Sequence, residues 1–65
     1  LKICDFTTPE LEKYLELCNF TEDEKEVFIL LSKGLTRVQI ADRTMMSIST
    51  IGRIKLKIEK KISRL

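Results

Sequence analysis

A chain of 65 residues, 43% hydrophobic and 34% charged, has the means for one small core and is too rich in apolar residues for a disordered tail. No apolar run is long enough to cross a bilayer and no secretory signal opens the chain, so a cytoplasmic protein without a membrane role is expected. Histidine is absent, no glycine-rich phosphate loop is present, and Cys4 and Cys18 lack the spacing of a metal or redox pair. An independent enzyme, a bound metal and a cofactor are therefore not expected. The two cysteines read as free thiols, with a Cys4–Cys18 disulfide as the alternative. The first residue is Leu1, which leaves open a trimmed start or a piece of a longer protein.

In chain order, residues 1–6 are too short to assign, and Leu1, Ile3 and Phe6 are compatible with an extended arm. Thr8-Pro9-Glu10 reads as a helix start, with threonine as the cap and proline in the first turn. Leu11, Tyr14, Leu15 and Cys18 follow at helical spacing, which predicts a first helix near 9–18. Thr21-Glu22-Asp23-Glu24 is a capping box with three acids at the positive end of the helix. Val27, Phe28, Leu30 and Leu31 supply its buried face and Gly34 ends it, giving a second helix near 22–33. Thr36-Arg37-Val38-Gln39 is another capping box, opening a short third helix near 37–44 with Val38, Ile40 and Ala41 as its apolar members. Met45-Met46-Ser47 must turn the chain. Ser47 then caps a fourth helix near 48–63 that meets no proline. The expected fold is all-α, a small four-helix domain. Residues 1–20 form an arm and an extra helix, and residues 21–65 form a helix-turn-helix unit.

Two features carry the functional expectation. The first is charge. The net +2 hides a split: residues 1–32 hold three basic and eight acidic side chains, net −5, whereas residues 33–65 hold nine basic and two acidic ones, net +7. A polyanion partner for the second half follows, and an unevenly charged solvated surface is the alternative. The second is the joint between helices three and four. A helix-turn-helix needs a small residue where the helices approach, apolar plugs on both sides of the turn, and a polar cap on the second helix. Ala41, then Ile40, Met46, Ile51 and Ile54, then Ser47 meet those needs.

The stretch GLTRVQIADRTMMSISTIGRI resembles the LuxR-type (GerE-type) helix-turn-helix, and FTEDEKEVFILLSKG before it resembles that family's first helix. The likeness covers residues 20–62. The tail from Ser47 also resembles region four of bacterial sigma factors, where Ile54 and Lys60-Lys61 have counterparts. Thr44, Gly52 and Lys55 depart from the LuxR-type pattern. These resemblances imply a DNA-binding module of bacterial or phage origin.

On the fourth helix, Ile51, Ile54, Ile58, Ile62 and Leu65 recur at steps of three and four and form a core stripe. Arg53, Lys57, Lys60 and Arg64 recur at the same steps on the other side. Such a row suits phosphates, and a plain solvated face is the alternative. Base contacts are expected from Ser49, Thr50 and Arg53 near the helix start, although Thr50 also suits a capping role. Phosphate contacts are expected from Thr36, Arg37, Lys57, Lys60 and Arg64. Ile29 and Leu56 fall on wet faces. Cover by helix one is expected for Ile29, and Leu56 is left between a thymine methyl and a second subunit. The expected partner is duplex DNA, bound by a transcription regulator, with a homodimer through Ile62 and Leu65 as a further expectation. A protein-interaction module derived from the same fold, and the DNA-binding tail of a recombinase or transposase, remain as alternatives.

Overall fold

The computed structural model describes residues 3–64, apart from the side chain of Cys4. A 3-10 turn at Ile3–Asp5 precedes four helices: α1 (Thr8–Leu17), α2 (Glu22–Ser32), α3 (Arg37–Thr44) and α4 (Ile48–Ser63). The architecture is all-α, with no strand among the described residues.

Local chemistry explains most of these limits. Glu24 Oε1 accepts from the Thr21 N–H at 2.9 Å while Thr21 Oγ1 accepts from the Glu24 N–H at 3.3 Å, a reciprocal box at the start of α2. Thr36 and Gln39 repeat the arrangement at α3. Gly34, at φ +84°, closes α2. The Gly34 N–H donates to the Leu31 carbonyl and the Leu35 N–H to the Leu30 carbonyl, the paired bonds of a Schellman ending. Met45 does the same job for α3 at φ 61° with a side chain that strains that conformation.

The start of the chain differs from the sequence expectation in two respects. Thr7, and not Thr8, caps α1: Glu10 Oε1 accepts from both the N–H and the hydroxyl of Thr7, each at 3.0 Å. The box requires a spacing of three residues, which Thr7 has and Thr8 lacks. Residues 3–6 are not an extended arm. The Phe6 N–H closes a turn on the Ile3 carbonyl at 3.1 Å, Ile3 is buried, and the Phe6 ring packs 5.1 Å from that of Tyr14. Leu1 lies outside the described residues.

The core is one cluster. Val27, Phe28 and Leu30 of α2 meet Ile40 of α3 and Ile51, Ile54, Ile58 and Ile62 of α4. Ile3, Cys18 and Phe20 join the same cluster, so the boundary near residue 20 divides the sequence and not the core. Helix α1 itself has no fully buried residue; Leu11, Tyr14 and Leu15 are half-buried against the cluster. It does not cover Ile29, which is 41% exposed, contrary to expectation. Val38 also faces outward, at 63% exposure, leaving Ile40 and Ala41 to hold α3 down. Cys18 is a free, buried thiol, and burial raises its pKa against the opposing charge of Lys61; the side chain of Cys4 lies outside what is described.

Candidate nucleic-acid interface

The site is built on α4 and the start of α3. The inner stripe of α4 fixes its rotation: Ile51 and Ile58 are fully enclosed, and Ile54 and Ile62 nearly so. At 3.6 residues per turn, this burial turns Ser49, Arg53, Lys57, Lys60 and Arg64 outward, and all five are exposed. At the joint, Ala41 and Met46 are half-buried against the cluster to which Ile40, Ile51 and Ile54 belong. The three-residue turn at 45–47 is thus pinned through Met46, while Met45 stands 91% exposed. Thr44, at a half-buried position, returns its hydroxyl to the Ile40 carbonyl at 2.8 Å, which satisfies both groups at the end of α3.

The three expected base-reading side chains are not equivalent. Ser49 and Arg53 are free of the fold's own needs. Thr50 is half-buried, its N–H donates to Ser47 Oγ at 3.1 Å, and its hydroxyl lies 2.8 Å from the same oxygen. Thr50 therefore serves the cap of α4 first. Of the expected phosphate contacts, Arg37, Lys57, Lys60 and Arg64 are exposed. Thr36 is exposed too, with its hydroxyl engaged by the Gln39 N–H. Arg37 reaches across to α4: its Nη1 lies 3.7 Å from where a Cβ on Gly52 would stand.

Lys61 does not belong to this face, although it is next to Lys60 in sequence. Its Nζ donates to Glu24 Oε1 at 2.6 Å and lies 5.8 Å from the Phe20 ring centroid. The two groups form a salt bridge whose carboxylate is 4% exposed. Burial pushes the Glu24 carboxyl up, but the hydrogen bonds from Lys61 and from Thr21, with the Lys61 charge, more than offset it, so its pKa is lowered. The pair joins the first turn of α2 to the last turn of α4. Sequence reading found Glu24 as a capping residue and missed its burial. The signal was present: Glu24 lies three and four residues before Val27 and Phe28, on the buried stripe of α2.

Ile62 is 8% exposed and belongs to the core, and what it shows lines a shallow pocket with Glu59, Lys60 and Ser63; Leu65 lies outside the described residues. Among the described residues no group of three or more acidic or cysteine side chains is placed to hold a metal, and no helix is long and apolar enough to cross a membrane. No family model, curated protein or solved structure matches the chain.

Proposed function

We propose that α3, the turn at 45–47 and α4 form a helix-turn-helix that binds duplex DNA, with α4 in the major groove, and that the protein acts in transcription regulation. The observation that carries this reading is the outer face of α4. Arg53, Lys57, Lys60 and Arg64 run along it at steps of four, three and four, exposed and without an acid among them. Of the exposed acids on the four helices, Glu10, Glu12, Glu16, Glu22, Asp23 and Glu26 lie on α1 and α2 and Asp42 on α3, while Glu59 of α4 is half-buried and off the row. Ser49 and Arg53, near the helix start, are the base readers; arginine bonds guanine through two donors at once. Lys57, Lys60 and Arg64 meet phosphates farther along, and Arg37 with the start of α3 meets the flanking backbone. The protein carries out no catalysis in this reading.

Fluorescence anisotropy with a mixed-sequence duplex at 50 mM salt tests the proposal. The chain is expected to bind, and Arg53→Glu with Lys57→Glu is expected to weaken binding by on the order of 100-fold without unfolding the helices. Absence of binding by the unaltered chain, or full binding by the double variant, contradicts it.

A further inference from the structure

Beside the cationic row on α4 runs a second lane that carries no charge. Ile48, Gly52 and Leu56 follow one another at steps of four, which keeps them on one side of the helix. Ile48 is 50% exposed and Leu56 55% exposed, so the fold leaves both largely uncovered. Gly52 between them has no internal justification. It takes an ordinary helical conformation, and the nearest atom to an added Cβ, Arg37 Nη1, would be at ordinary contact distance, so alanine fits and favours the helix more. Leu56 stands three residues after Arg53 and four before Lys60, which makes it a direct neighbour of both on the helix surface.

Two apolar side chains separated by a glycine and bordered by cations, Arg37 beside Gly52 and Arg53 and Lys60 beside Leu56, call for a ligand that is polyanionic at its edges and apolar at discrete points within. The major groove of DNA answers that description, because thymine places a 5-methyl group there between the phosphate walls. RNA lacks that methyl, and its major groove is too narrow for a helix. We infer that Ile48 and Leu56 seat thymine methyl groups on either side of Gly52, toward which the Arg37 guanidinium reaches, so that the module prefers thymine-bearing sites. This rests on the DNA-binding reading and adds to it the chemical group that is read.

The test uses a duplex recovered by selection from a random-sequence pool and the same duplex synthesised with deoxyuridine at every thymine. The only chemical change is loss of the methyl groups. The unaltered chain is expected to bind the deoxyuridine duplex about fourfold more weakly for each methyl seated in the lane. A variant carrying Ile48→Thr and Leu56→Gln, both at exposed positions, is expected to keep its helices by circular dichroism and to bind the two duplexes alike. Equal binding of both duplexes by the unaltered chain overturns the lane while leaving DNA binding intact. So does a discrimination that persists undiminished in the variant, or selected sites without thymine. Failure to bind or select any duplex overturns the DNA reading, and the lane with it.

Discussion

Lys60 and Lys61 are adjacent, chemically identical, and placed in opposite roles. Lys61 falls on the flank of α4 that meets α2, where a buried carboxylate and an aromatic ring await it. Lys60 falls on the far side and meets water. The same contrast holds for the two regions they belong to. The joint between α2 and α4 is a closed electrostatic contact, whose charges are satisfied within the fold. The outer face of α4 is an open one, a row of cations that the fold leaves without partners of its own. The lesson is that the composition of a basic segment overstates its interface. Of the six basic residues from Arg53 to Lys61 and Arg64, those turned by the core stripe toward α2 or the flank, Lys61 and the half-buried Lys55, are not presented with the rest.

This contrast gives predictions with separable readouts. The largest effect belongs to the open face: Arg53→Glu with Lys57→Glu should weaken duplex binding by on the order of 100-fold at low salt, since one base contact is lost, one phosphate contact is lost, and both positions become repulsive. Its unfolding midpoint in urea should stay near that of the parent, because exposed substitutions change stability by about 0.5 kcal/mol or less. The closed joint should behave in the reverse way. Lys61→Met leaves a buried carboxylate without its counter-charge and should cost about 2 kcal/mol of stability in urea titration. Lys60→Met should cost little.

The joint also predicts an acid limb. The folded pKa of Glu24 lies below its ordinary value of 4.5, so on acidification the unfolded chain takes up this proton first. Its contribution is complete above the ordinary value and is lost as pH falls through the lower folded value. Glu24→Gln should therefore lower stability at neutral pH and flatten the decline below pH 4.5, as followed by thermal melts across pH. Two smaller effects run in the stabilising direction. Gly52→Ala should add about 1 kcal/mol through helix propensity. Met45→Gly should add about 0.5 kcal/mol by relieving the left-handed conformation at the turn.

Helix positions were legible in the sequence because their ends are set by neighbours a few residues away. Thr21 with Glu24, Thr36 with Gln39, Ser47, and Gly34 with the two bonds around it all act within one turn of chain. The start of α1 was misplaced by one residue because two threonines precede Pro9, and only the three-residue spacing to Glu10 chooses between them. The turn at Ile3–Asp5 was not legible, since three residues show no periodicity and are held by packing against α2 and the core. Ile29 was assigned a cover that α1 does not provide, because the placement of a helix with no fully buried residue is weakly encoded by its own apolar spacing. For the candidate site, helical arithmetic sufficed to put Ser49, Arg53, Lys57, Lys60 and Arg64 on one face. The Glu24–Lys61 pair and the reach of Arg37 toward Gly52 are contacts between elements, and spacing within one helix carries no record of them.

The claim at the centre of this account is that the exposed row on α4 engages phosphates. The most direct measurement is the dependence of duplex affinity on salt concentration. Four cations on phosphates, Arg37, Lys57, Lys60 and Arg64, predict a slope of log K against log salt of about −3.5, falling toward about −2 when Lys57 and Lys60 are both replaced by methionine. A slope near zero, or a slope that the double replacement leaves unchanged, would contradict the account.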